Sequence, residues 1–281
     1  MELKKVLDSW RRGYALPRAV YQDPEIYESE IRRIFLKSWQ YVGHASQIPQ
    51  RGDYFLFEIA GESVILVRDG EGAVNALLNV CRHRGSRICD APEGREARLT
   101  CRYHGWTYGL DGSLRAVGFA PEGLDKTRLG LKRLQVKVFQ GLIFINFDPD
   151  AVPFAAIEND LGPVLAPWSL EHAKIAHRKN YPIASNWKLA VENYCECYHC
   201  LTAHPEYSVG HSLALPREAC VVMLEQVLAR AESVGLSRAV VHHSWLASGM
   251  LGTDRGFDRY PLLRGHLTGS RDGKPVAPLM G

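Results

Sequence analysis

The 281-residue sequence has no long apolar run: its most hydrophobic stretch, Gly141 to Phe147 (GLIFINF), is far too short to cross a bilayer. It also has no excess of one charge, with 34 Lys+Arg against 31 Asp+Glu for a formal net charge of +3, and no segment gathers that excess into a stripe that would track phosphates. Membrane and nucleic-acid partners are therefore not expected. No internal repeat and no low-complexity segment interrupts the chain, which excludes solenoids. The opening MELKKVLDSWRRG carries basic residues without an apolar core or a small-residue cleavage site, so the expectation is a soluble, cytoplasmic protein. Hydrophobic residues make up 46% and charged residues 23%, ordinary globular values, and the length suits about two domains.

The texture changes along the chain. Asp23-Pro24-Glu25 reads as a cap, a first-turn proline and an acid, with Ile26, Ile31, Ile34 and Phe35 at roughly helical spacing behind them, which predicts one opening helix. From Tyr54 to Phe147, short β-rich runs (YFLFEI, SVILVRD, AVNALLNV, RLTCRYHGWTYG, LQVKVFQ, GLIFINF) alternate with turn clusters such as Asp69-Gly70-Glu71-Gly72 and predict an antiparallel β domain. Beyond Asp150 the pattern is mixed. One helix is predicted from Asn186 to about His199, and another from about Glu218 to Val234 with Val221, Leu224, Val227, Leu228 and Ala231 on one face.

Seven cysteines (81, 89, 101, 195, 197, 200 and 220) are an odd count in a chain too long to need stapling, and their placement beside histidines points to metal. Cys81-Arg82-His83-Arg84-Gly85 and Cys101-Arg102-Tyr103-His104-Gly105-Trp106 form C-x-H, 17 intervening residues, then C-x-x-H. Two short loops with two donors each satisfy the coordination of zinc or iron. A zinc finger keeps its cysteines in one loop and its histidines on a helix, whereas here each loop carries one of each. That mixture suits a Rieske [2Fe–2S] centre, in which one iron takes two thiolates and the other two imidazoles.

The fingerprint C-x-H-R-G followed by C-x-Y-H-G-W resembles the Rieske family residue for residue. The resemblance implies that Cys81 and Cys101 bind one iron and His83 and His104 the other. Exchanging two thiolates for neutral imidazoles raises the potential by several hundred millivolts, to roughly −150 to +300 mV. Cys89 lies outside the pattern and reads as a buried apolar filler.

A second constellation lies in NWKLAVENYCECYHCLTAHPE (Asn186 to Glu206), where Glu196, His199 and His204 are spaced E-x-x-H-x-x-x-x-H. Glu196 and His199 would share a helix face, and His204 would fall just beyond the helix end near Pro205. Two converging imidazoles suit a non-haem Fe(II) with open positions for O2. A zinc site on Cys195, Cys197 and Cys200 competes weakly, because a continuous helix would spread those thiols over different faces.

With the first motif upstream, the segment is similar to the catalytic stretch of Rieske non-haem iron oxygenase large subunits. Its wording resembles the branch of choline-, glycine betaine- and carnitine-type monooxygenases, alongside the aromatic ring hydroxylases. That resemblance implies an α+β protein: residues 1–39 as a helical segment packing on the catalytic domain, 40–150 as an antiparallel all-β Rieske [2Fe–2S] domain, and 151–281 as a partial α+β catalytic domain with a helix packed on an antiparallel sheet. It further implies His199 and His204 as mononuclear Fe(II) ligands and Glu196 as an acid bridging to a Rieske histidine, matching His104, on a neighbouring subunit. Asn193 and Trp187 would be supporting residues. The implied partners are a flavin- or ferredoxin-type reductase, O2, a small organic substrate, and further copies of the chain in a homotrimer.

The family draws a third iron ligand, Asp or Glu, from a helix far downstream. Asp254, Asp258 and Asp272 stand in loop-like sequence and none is assigned. The resulting expectation is a shortened chain whose Rieske domain loads its cluster while the second site holds iron weakly. Trp245, Phe257 and Tyr260 read as core rather than a cage for a quaternary ammonium, and His172, His177, His211, His242, His243 and His266 match no motif.

Overall fold

The computed structural model describes residues 3–11, 13–120, 122–195 and 199–204, together with Val222, Glu225, Gln226, Leu228, Ala229, Glu232, Ser233 and Arg238. The chain divides into two compact units, residues 1–160 with 169–181, and residues 161–168 with 182–281.

The first unit opens with α1 (Leu3–Asp8), α2 (Arg18–Gln22) and α3 (Pro24–Glu30). Asp23 caps α3 as its sequence predicts, its carboxylate accepting the N–H groups of Glu25 and Ile26, and Pro24 occupies the first turn where its missing donor costs nothing. The helix does not hold its pitch through Phe35. Ile31–Phe35 widens into a π turn in which the Leu36 N–H reaches the Ile31 carbonyl at 2.9 Å, five residues back. The inserted residue shifts the helical phase, so Ile26 is buried as expected while Ile34 is left 42% exposed.

Ten strands follow among the described residues: β1 (Gln40–His44), β2 (Asp53–Ile59), β3 (Glu62–Arg68), β4 (Val74–Leu78), β5 (Glu93–Arg95), β6 (Leu99–Thr100), β7 (Thr107–Tyr108), β8 (Leu114–Ala116), β9 (Gln135–Phe139) and β10 (Leu142–Asn146). All pairings are antiparallel and build three sheets, ordered β1-β10-β9, β4-β3-β2-β5 and β6-β7-β8. Two hairpins turn on a residue pair with both φ values positive, Ala60-Gly61 and Gln140-Gly141, a geometry matched to the twist of the strands they join.

The four-stranded sheet is the middle layer, and its central strand β3 is apolar on both faces. Successive side chains point to opposite sides, so Ile65 and Val67 enter one core and Val64 and Leu66 the other. The first core gathers Tyr54, Leu77, Leu99, Tyr108, Leu110 and Leu114, and with them Cys81 and Cys101. The second joins Phe55, Val74 and Ala76 to Ile143 and Ile145 of the β1-β10-β9 sheet. The small sheet β6-β7-β8 and the two cysteine loops therefore share one face of the middle layer.

Helix α4 (Ala155–Leu165) ends in the second unit, which also contains α5 (Trp187–Cys195) and the short α6 (Cys200–Ala203). The helix predicted from Asn186 to about His199 is described from Trp187 to Cys195; residues 196–198 lie outside the described residues, and His199 stands in the turn that opens α6. In the stretch predicted helical from 218 to 234, the seven described residues, Val222 to Ser233, are helical and Leu228 is buried. The other members of its predicted face, Val221, Leu224, Val227 and Ala231, lie outside the described residues. Among the described residues of this unit there is no strand, so the sheet expected beneath its helix is not seen there. No helix among the described residues is long and apolar enough to cross a membrane.

Candidate metal centres

Cys81 and Cys101 each open a loop closed by the same pair of backbone hydrogen bonds. Gly85 N–H donates to the Cys81 carbonyl (3.0 Å) and Cys81 N–H to the Ser86 carbonyl (2.8 Å). In the second loop Gly105 N–H donates to the Cys101 carbonyl (2.9 Å) and Cys101 N–H to the Trp106 carbonyl (2.8 Å). Gly85 and Gly105 sit at φ +77° and +70°, a left-handed bend that a side chain disfavours. The two motifs are thus two copies of one turn, each burying its cysteine to 2% exposure while leaving its histidine at the surface.

The imidazoles of His83 and His104 face each other across the loops with ring centres 4.6 Å apart and planes at 80°. Two imidazoles bound to one metal through nitrogens at about 2.1 Å have ring centres no more than about 6.5 Å apart, so one iron can take both. Trp106 stacks on His83 at 5.0 Å, and Tyr103 lies against His104 at 3.8 Å with the Arg84 guanidinium 5.7 Å from its ring centre. Each histidine is therefore oriented by an aromatic of the second loop.

The Cys101 sulfur is prepared for the charged form. Burial pushes the Cys101 thiol up, but the N–H groups of Tyr103 and His104 and the side chains of Cys81 and Ser86 outweigh it and bring the group below its ordinary value. Loss of solvent around the ring, then His83 and the Arg84 charge, hold His104 below the usual imidazole range, favouring the neutral form that binds metal. Cys89, by contrast, is pushed up to about 12, chiefly by burial, and is free and buried, as a filler should be.

Sequence reasoning missed Tyr108. Its hydroxyl accepts the Arg82 N–H at 3.0 Å and lies 3.3 Å from the Cys81 sulfur. Burial, then the hydrogen bond with Cys81, raise this phenol well above its usual range, so it keeps its proton and has a hydrogen bond to offer a Cys81 thiolate. The only sequence signal was its place in the WTYG run after the second loop. Asn79 was missed as well, although it is fully buried beside the first loop.

In the second unit, α6 sets the histidine pair. The Thr202 and Ala203 N–H groups donate to the His199 carbonyl (3.1 and 2.8 Å), so His199 begins the turn and His204 follows its end. Their ring centres are 5.4 Å apart with planes at 76°, again within the span of one metal. Asn193 Nδ2 lies 3.4 Å from His199 Nδ1. Glu196 lies outside the described residues, as do Asp254, Asp258 and Asp272, so the structure leaves the carboxylate of this site undescribed. The zinc alternative rests on cysteine side chains that also lie outside them. Among the described residues no three His, Cys, Asp or Glu side chains are placed to hold one ion.

Both histidine pairs lie in stretches that match known protein families. Residues 38–134 match the family of the Rieske [2Fe-2S] domain, and residues 170–246 the ring hydroxylating alpha subunit (catalytic domain). The chain is 41% identical over 201 residues to the glycine betaine monooxygenase oxygenase subunit of Chromohalobacter salexigens, covering 70% of this chain and 44% of that one. It is 34% identical over 206 residues to the carnitine monooxygenase oxygenase subunit of Escherichia coli K12, covering 70% and 54%. Among solved structures, a quaternary ammonium Rieske monooxygenase in complex with L-carnitine matches at TM-score 0.63 and 34% identity, over 68% of this chain and 56% of that one. A naphthalene 1,2-dioxygenase from Rhodococcus matches at TM-score 0.64 and 32% identity, over 73% and 49%.

Fold and matches together define a Rieske iron–sulfur protein with a ring-hydroxylating catalytic region. The chain belongs to the family of Rieske non-haem iron oxygenase alpha subunits. It spans about half the length of the curated relatives it matches. The Rieske domain implies a [2Fe–2S] cluster, which the paired Cys and His loops fit, and the catalytic region implies a mononuclear iron.

Proposed function

We propose that this chain is the oxygenase component of a Rieske system, taking electrons from a flavin- or ferredoxin-type reductase and using them with O2 to hydroxylate a small organic substrate. The observation that carries it is the presence in one chain of two imidazole pairs, His83/His104 and His199/His204, each within reach of a single metal. Cys81 and Cys101 hold the buried side of the [2Fe–2S] cluster and His83 and His104 its exposed side. His199 and His204 hold the mononuclear Fe(II), and Glu196 hydrogen-bonds across a subunit boundary to a Rieske histidine in a homotrimer. In this reading residues 40–150 are the electron-transfer domain, 151–281 belong to the catalytic domain, and 1–39 pack on the latter. The bound irons supply one-electron transfer and O2 activation, while the chain spaces and shields them.

A quaternary ammonium compound is the favoured substrate class, supported by relatives named for glycine betaine and carnitine, with aromatic acids as the alternative. A soluble cytoplasmic setting accompanies the reading. A second reading is a Rieske electron carrier without oxygenase chemistry, in which only the centre at Cys81, His83, Cys101 and His104 works.

The test is iron and acid-labile sulfide per chain after anaerobic purification, with an electron paramagnetic resonance (EPR) spectrum of the reduced protein. Three irons, two sulfides and a Rieske signal, followed by reductase-dependent oxygen uptake with glycine betaine or carnitine, is the expected result. Two irons with two sulfides and no uptake selects the carrier, and a protein that binds no iron overturns both readings.

A further inference from the structure

The two ligand loops share their internal closure but not their supports. The second loop is held at both ends by a β ladder, since Leu99 pairs with Tyr108 and Thr100 with Thr107 immediately outside Cys101 and Trp106. The first has β4 on its entry side, ending at Leu78, and no paired strand on its exit until β5 begins at Glu93. Asn79, on the entry side just after β4 and at 0% exposure, reaches across to that exit segment with its side chain.

Its Oδ1 accepts the N–H groups of Ile88 (3.0 Å) and Cys89 (2.9 Å), and its Nδ2 donates to the Cys89 carbonyl (2.7 Å) and the Ser63 hydroxyl (3.1 Å). Two acceptor sites and two donors are all that a primary amide possesses, and each is used. The Asn79 backbone N–H donates to the Ser63 carbonyl at 2.8 Å, which ties the same residue to β3. One side chain thus offers residues 88–89 the acceptor and donor that a neighbouring strand would offer.

We propose that Asn79 is a positioning residue for the iron–sulfur centre: its amide replaces the missing strand and fixes the Cys81/His83 half of the cradle, including the approach of Cys81 to Tyr108. The inference rests on the cluster reading above. It makes the first loop the half through which the cluster is lost, because its closure depends on one side chain rather than a ladder.

The test compares holoprotein carrying Asn79→Ala or Asn79→Asp with Val64→Ala, which thins the core on the opposite face of the middle sheet. Melting temperature, the rate of cluster bleaching under a chelator, the EPR spectrum and the midpoint potential are measured for each. Asn79→Ala should release the cluster about tenfold faster than wild type, the factor carried by one buried hydrogen bond, with an altered EPR spectrum and a lowered potential. Asn79→Asp, which keeps the acceptor for both N–H groups, should fall between the two and carries the test if the alanine variant does not fold. Val64→Ala should lower the melting temperature and leave spectrum and potential unchanged. Wild-type spectrum and potential in the folded Asn79 variants, with bleaching no faster than in Val64→Ala, would overturn the inference alone. A wild type without a Rieske signal overturns the function proposed above along with it.

Discussion

At the scale of single residues, the cluster site is governed by hydrogen bonds to sulfur. Reduction adds negative charge to the cluster, and a hydroxyl aimed at a ligating thiolate stabilises the reduced form more than the oxidised one. Once Cys81 is a thiolate it has no proton to give, so the Tyr108 hydroxyl at 3.3 Å is the donor of this pair. Tyr108→Phe should therefore lower the midpoint potential by tens of millivolts, with about 60 mV equivalent to a tenfold change for one electron, as read by redox titration of the EPR signal. Away from the site, Asp53 carries an electrostatic clamp. The Arg95 guanidinium at 2.6 Å, then the Gln50 N–H, hold its carboxyl below the usual range against the opposing effect of burial. A depressed carboxylate contributes stability above its unfolded value of about 3.9 and loses it as pH falls through the lower folded value. Asp53→Asn should lower the melting temperature at pH 7, and the difference from wild type should close as the pH is taken below that unfolded value.

At the scale of elements, the two ligand turns depend on glycine for conformation and not for space. No atom lies within 4 Å of a Cβ built at Gly85 or Gly105, so an alanine there meets only the cost of the left-handed bend, about 1–2 kcal/mol. Gly105→Ala should lose about that much in denaturant titration of the holoprotein, and Gly105→Asn should lose less because asparagine tolerates this region. These turns were legible because their information is local: cysteine, histidine and glycine at short spacing leave little freedom in how the loop closes. The α3 cap at Asp23 was legible for the same reason, and Asp23→Ala should cost about 1 kcal/mol. Elements whose cause lies elsewhere in the chain were not legible. Strand β1 exists because β10 pairs with it a hundred residues later, as Gln40 against Ile145, and no periodicity announces such a partner. The supports of the first loop, Asn79 and Tyr108, were hidden likewise, since an isolated asparagine or tyrosine carries no motif until tertiary contacts give it a role.

At the scale of the whole molecule, the two metal centres differ in how their donors are held, and that difference should be visible in the order in which iron leaves. The thiols of the first centre are at 2% exposure inside a core shared with the middle sheet, so removing iron there requires the cradle to open. The second presents one half-buried and one exposed imidazole, joined by a single helical turn. Neutral imidazoles bind less tightly than thiolates and compete with protons for the same lone pair. Metal bound there should exchange first. Incubation of the anaerobically purified protein with a ferrous chelator should remove one iron per chain in a fast phase, leaving sulfide and the Rieske EPR signal intact, before a slow phase takes the remaining two with loss of sulfide. His199→Ala should abolish the fast phase and spare the slow one, and Cys81→Ala should do the reverse provided the variant folds. Release of all iron in one phase, together with sulfide, would mean that the two centres are not independent and would contradict this ordering.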